Sequence, residues 1–149
     1  MTAALSVRSL GKRYAGTDAL KGVELEVAEG ELLGLLSTAI LVVNNVRDID
    51  TDRRAGKNTL AVRFGRERTR RFYVALVALA YVALPVTALA ADGPWWVVLG
   101  VLSIPLALRA AQPVLTRTDG PSLNGALAKT GALLAAYSVL VAAGLLIAS

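Results

Sequence analysis

Twenty consecutive residues, Phe72 to Ala91, carry no charge. A helix of that length covers about the 30 Å of hydrocarbon in a bilayer, so the run belongs in lipid unless a far larger protein surrounds it. Two further runs follow. Trp95 to Leu108 is uncharged over fourteen residues and opens on two Trp, whose rings favour the headgroup level, while Pro94 suits a first helical turn. Thr130 to Ala148 is uncharged over nineteen. A fourth run, Leu32 to Val46, has fifteen residues and leads straight into Asp-rich sequence, too short to span by itself. The chain is 55% hydrophobic but only 5% aromatic, an Ala/Val/Leu bias that suits lipid-facing helices better than a soluble core. These features predict a mainly α, integral membrane helical bundle fragment of three to four transmembrane helices. Residues 1–33 differ: Val23, Leu25 and Val27 alternate with Glu24 and Glu26, which predicts a short N-terminal β segment.

Charge is unevenly placed. Residues 47–71 hold nine basic and four acidic groups, against a net charge of +5 for the whole chain. Lys and Arg in short loops stay on the cytoplasmic side, which predicts a multi-pass cell-membrane protein with loops 47–71 and 109–129 cytoplasmic and the C-terminus outside. Membrane-length runs beside the basic segment argue against nucleic acid and for the lipid bilayer and phosphates as partners. The chain has no Cys and no His, which excludes thiolate and imidazole chemistry. Carboxylates, amides and basic groups must do any work there is.

Those groups concentrate in Asn44-Asn45-Val46-Arg47-Asp48-Ile49-Asp50-Thr51-Asp52 and the Arg53 to Thr59 stretch after it. On a helix, Asn45, Asp48 and Asp52 fall at i, i+3 and i+7 and share one face. Two carboxylates and an amide at a membrane helix end suit Mg2+, which takes oxygen ligands and is commonly held by one or two carboxylates plus substrate phosphates. Arg47, Arg53, Arg54, Lys57 and Arg63 could meet the remaining phosphate charge. The plainer alternative is a solvated, topology-setting loop, and Asp50, on the other side of the helix, is read that way. A phosphate loop around Lys57 fails, because Thr51 and Asn58 stand where its first Gly and its Ser/Thr belong.

Asn44 to Gly65, NNVRDIDTDRRAGKNTLAVRFG, closely resembles the second aspartate-rich motif of the UbiA superfamily of membrane prenyltransferases, most of all its menaquinone-pathway branch, and the likeness runs from about Gly34 to the C-terminus. The resemblance implies half of an all-helical bundle around a central cavity. It also implies transfer of a polyprenyl group from polyprenyl diphosphate to an aromatic acceptor resembling 1,4-dihydroxy-2-naphthoate. By the same resemblance Asp48 and Asp52 are catalytic magnesium ligands, and Asn45, Arg47, Lys57 and Arg63 bind diphosphate. The family's first aspartate-rich motif has no counterpart, since the acids before Asp48 are Asp18, Glu24, Glu26, Glu29 and Glu31. Little or no activity is therefore expected of these 149 residues alone, unless a further chain supplies the missing half.

Leu5 to Leu36 resembles the opening of an ABC-transporter ATPase domain, with Tyr14 where an adenine-stacking aromatic would lie and Glu29-Gly30-Glu31 in a turn. Ser37-Thr38-Ala39-Ile40 follows instead of a phosphate loop, so no nucleotide site is expected. The alternatives to a prenyltransferase are a truncated ABC component and a small membrane-anchored protein whose basic loop binds anionic lipid. Tyr73, Tyr81 and Tyr137 are candidates for an acceptor cavity, with packing as the commoner role. Asn124 and Lys129 receive no role.

Overall fold

The computed structural model describes the backbone of residues 3–14, 17–28, 33–90 and 95–148, and side chains over 34–89 and 95–147. The chain divides into two compact units, Met1–Glu31 and Leu32–Ser149.

In the first unit β1 (Ala3–Tyr14) pairs antiparallel with β2 (Thr17–Ala28), Leu5 opposite Val27, Val7 opposite Leu25 and Leu10 opposite Val23. The alternating Val23, Leu25 and Val27 thus lie on a strand, as their period of two predicts. The Glu29-Gly30-Glu31 turn, Leu32 and the side chain of Tyr14 lie outside the described residues.

The second unit is helical: α1 (Leu33–Arg54), α2 (Leu60–Phe64), α3 (Arg66–Ala90), a 3-10 segment (Trp95–Ser103) running directly into α4 (Ile104–Thr116), and α5 (Gly120–Ala148). Three stretches are long and apolar enough to cross a membrane: Arg66–Leu89, Trp95–Thr116 and Gly120–Ile147. Pro85 sits within α3; Pro94 lies outside the described residues. Large apolar residues such as Leu79, Val82, Leu102, Leu108, Val139 and Leu146 are exposed, as lipid-facing side chains are.

The boundaries correct two sequence expectations. Residues 47–71 are not one loop: α1 runs to Arg54 and α3 starts at Arg66, leaving 55–59 as the main link. Residues 109–129 are not a loop either, because Arg109 lies in α4 and Lys129 in α5, with only 117–119 between the helices. Charge marks where a helix leaves hydrocarbon, whereas hydrogen bonding continues for two or three turns beyond. The run Trp95–Leu108 gains length from its 3-10 conformation, which rises about 2.0 Å per residue against 1.5 Å in an α-helix.

Leu36, Val43, Val46, Leu84, Leu133 and Tyr137 are among the fully buried side chains of the core. The tyrosines join the spans. Tyr137 Oη donates to the Ala80 carbonyl (2.6 Å). Thr130 Oγ1 donates to Ala126 O, so its 3.1 Å bond with Tyr73 is donated by the phenol. Tyr81 Oη bonds Ser103 Oγ at 2.7 Å and its ring meets Tyr137 edge-on, centroids 5.6 Å apart. Packing is therefore their observed role, although Tyr73 and Tyr81 also line an apolar cleft of about 270 Å³ with Val77, Ile104 and Ala107.

Candidate functional site

The aspartate-rich segment forms the last two and a half turns of α1, and its end is built by Gly56. With φ of 69°, Gly56 takes the left-handed conformation that only glycine adopts without strain. Its N–H donates to Arg53 O (3.2 Å) and the Lys57 N–H to Asp52 O (2.9 Å), the paired bonds of a Schellman ending. This turn folds Lys57 back over the helix, and its Nζ lies 3.0 Å from Asp52 Oδ1. Asp52 is 7% exposed, whereas its partner Lys57 is open to solvent.

Asp48 is held differently. Arg47 Nε donates to Asp48 Oδ1 (2.7 Å) and Nη2 to Oδ2 (2.9 Å), a two-pronged grip, while Nη1 donates to Asn124 Oδ1 of α5 (2.8 Å). The guanidinium's hydrogen bonds hold the Asp48 carboxyl below its ordinary range, against a smaller opposing effect of burial, and Arg47 is raised by the same bond. Asp48 is thus an ionised carboxylate at neutral pH.

Asn45 lines a neighbouring cleft of about 210 Å³ between α1, α2 and α3, with Val42, Phe64, Thr69 and Phe72. Arg63 is exposed on α2, a one-turn helix capped by Thr59, whose Oγ1 accepts from Val62 N at 3.3 Å. The structure therefore brings Asp48 with Arg47 and Asp52 with Lys57, places Asn45 in an adjoining cleft, and leaves Arg63 at the surface. Asp50 does more than face solvent. Its Oδ2 accepts from Arg66 Nη2 (2.7 Å), and Arg66 Nη1 donates to Val46 O (2.8 Å), which clamps the start of α3 to α1. Sequence alone gave Asn124 no role and did not single out Arg66. Arg66 is one of five arginines within nine residues, and Asn124 stands 77 positions from its partner.

Among the described residues no three acidic side chains gather to hold a metal ion. Two carboxylates on successive turns, each paired with one cation, are too few to form a closed protein cage around a metal ion.

A family model for the UbiA prenyltransferase family matches residues 31–132. The 1,4-dihydroxy-2-naphthoate octaprenyltransferase of Mycobacterium tuberculosis (strain ATCC 25618 / H37Rv) is 43% identical over 139 residues, covering 93% of this chain and 46% of that protein. The protein of the same name from Mycobacterium leprae (strain TN) is 38% identical, covering 95% and 47%, and that from Escherichia coli (strain K12) is 40% identical, covering 68% and 33%. The chain spans about half the length of the two mycobacterial relatives, whose alignments also take in most of residues 1–31. The resemblance of residues 5–36 to an ATPase finds no support among these relatives. No solved structure matches.

Proposed function

Because the chain belongs to the UbiA prenyltransferase family, a family of membrane enzymes, we propose that it carries the diphosphate-binding half of an enzyme that moves a polyprenyl group onto an aromatic acceptor. The names of its relatives support 1,4-dihydroxy-2-naphthoate as the acceptor and menaquinone biosynthesis as the setting. The observation that carries this reading is the pair Asp48 and Asp52, one turn apart on α1, each already paired with a base from its own segment.

Those ion pairs suggest how the site works. Without substrate, Arg47 and Lys57 neutralise the two carboxylates; when a diphosphate arrives, the bases turn to its oxygens and the carboxylates are freed for a cation. Asp48 and Asp52 would hold the magnesium, which as a Lewis acid supplies stabilisation of charge on the departing oxygens. Arg47, Lys57 and Arg63 add fixed positive charge where that negative charge grows, as the bond from prenyl carbon to oxygen breaks and both electrons leave with the diphosphate. The carbocation is then captured by the electron-rich ring, which regains its aromaticity by losing the group on the attacked carbon, a proton or, from a ring carboxylate, carbon dioxide. Arg66, through Asp50 and the Val46 carbonyl, keeps the segment in register.

Residues 1–33 form a separate segment with no phosphate loop, and residues 34–149 form the prenyltransferase portion. Since no earlier pair of spaced aspartates lies within these 149 residues, this polypeptide alone binds diphosphate but turns over little, the complementary carboxylates coming from elsewhere in a complete enzyme. Titration of the purified chain with magnesium and a prenyl diphosphate tests the reading. Binding should weaken roughly a hundredfold in the Asp48→Ala plus Asp52→Ala variant, about the loss of two charge-assisted contacts. Binding unchanged by that pair of substitutions would leave a membrane anchor and no prenyl site.

A further inference from the structure

A polar cavity, of about 330 Å³, opens between α4 and α5 at the hairpin that joins them. Gln112, Thr116, Arg117, Ser122, Gly125 and Lys129 line it. Ser122, Gly125 and Lys129 fall at i, i+3 and i+7 and make one stripe of α5, while Gln112 and Thr116 face it one turn apart on α4. A Cβ built at Gly125 would meet nothing within 4 Å, so the cleft is open at that point and a larger side chain there would enter it. Two cations and no acid line the space. Asp119, the sole acid between Ile104 and Thr130, is engaged at the rim, where its Oδ2 accepts from the Ser122 N–H (2.9 Å) and caps α5. Arg70 Nη2 donates to the Arg117 carbonyl (2.6 Å) and ties that residue's backbone to α3.

Depth narrows the ligand. Beyond Lys129 the helix continues for nineteen uncharged residues, about 28 Å, so Lys129 marks the hydrocarbon boundary and the hairpin lies at headgroup level. A lysine there lays its stem along apolar surface and lifts its ammonium toward the polar zone, here into the cleft. We propose that this cavity holds the phosphate of an anionic membrane phospholipid, Arg117 and Lys129 meeting its charge and Gln112 and Ser122 its ester oxygens, while Thr116, whose hydroxyl donates to the Gln112 carbonyl (2.8 Å), accepts from a headgroup hydroxyl. The site is separate from the aspartate segment and does not rest on the prenyltransferase reading.

Native mass spectrometry of the purified chain in detergent micelles, titrated with phosphatidylglycerol, tests it. Apparent affinity should fall roughly tenfold or more in Arg117→Gln plus Lys129→Gln, as two cations leave an anionic headgroup. Gly125→Leu, which keeps both cations and fills the cleft, should weaken binding comparably. Arg68→Gln plus Arg71→Gln, which removes as much charge from exposed positions elsewhere, should change it by less than about twofold. Retained binding in the first two variants, or equal loss in the third, overturns the proposal. Equal binding of phosphatidylcholine also overturns it, and displacement by millimolar inorganic phosphate would assign the cleft to a soluble ion instead.

Discussion

Arg47 spends three of its five N–H donors on two partners, Asp48 and Asn124, and so couples the charge state of one aspartate to the approach of α1 and α5. The coupling has a definite sign with pH. Asp48 is held below its ordinary value of 3.8, so its contribution to stability is fully present above that value and is lost as pH falls through the lower folded-state value. Because the Asp48 side chain is 32% exposed, the contribution is screened and amounts to about 1 kcal/mol or less. Thermal unfolding in micelles should show wild type more stable than Asp48→Asn by a constant margin from about pH 5 to 8, with the margin vanishing in acid. A margin that grows toward acid would show that the carboxylate is not the favoured state. The alignment of Asp48 with Asp52 follows from helical spacing alone. The Arg47 grip does not, because Asn124 is brought to it by the packing of the last helix, and no local pattern records that.

At the scale of elements, the closest approach found at any described glycine is that of α5 to the 3-10 segment. A Cβ at Gly144 would collide with the carbonyl of Trp96, a backbone group that cannot swing aside. Small residues of this kind let membrane helices close on each other where no hydrophobic force drives them together. Gly144→Ala should therefore destabilise the bundle by about 2 kcal/mol or more, despite alanine's better helix propensity, as read by unfolding in mixed micelles. Gly100→Ala should be milder, because the atoms nearest to it, at 3.0 and 3.1 Å, are methyl groups of Leu84 and Val141 that can shift. An equal effect at both positions would mean that α5 slides freely on Trp95–Ser103. The spans themselves were legible as uncharged runs, and β2 as an alternation. The helix ends were not, since Arg109 and Lys129 looked like loop residues but sit within α4 and α5. Nor was the 3-10 form of Trp95–Ser103, because an evenly apolar run has no periodicity from which to tell one helix type from another.

For the helical unit as a whole, two hydrogen bonds fix which connections share an end. Arg47 at the close of α1 reaches Asn124, and Arg70 near the start of α3 reaches Arg117, so the 55–59 and 117–119 links lie together. The distal end holds Trp96 against Gly144, near the chain's C-terminus. Among the described residues of the helical unit, basic side chains crowd the first end and none stands at the second, where Trp95 and Trp96 are exposed as belt residues would be. The bias toward keeping Lys and Arg on the cytoplasmic side then predicts that the aspartate segment and hairpin cleft lie inside. A chain without cysteine makes the test clean, since a single introduced thiol is the sole target of a maleimide. With Ala55→Cys or Thr118→Cys, a membrane-impermeant maleimide should label only inverted vesicles, whereas Ser149→Cys should label in intact cells. Labelling of 55 and 118 from opposite faces would contradict the packing of α1 and α3 on the α4–α5 hairpin. Labelling of both from outside would keep that packing and reverse the insertion, leaving the carboxylate pair facing a compartment where a cytosolic prenyl diphosphate could not reach it.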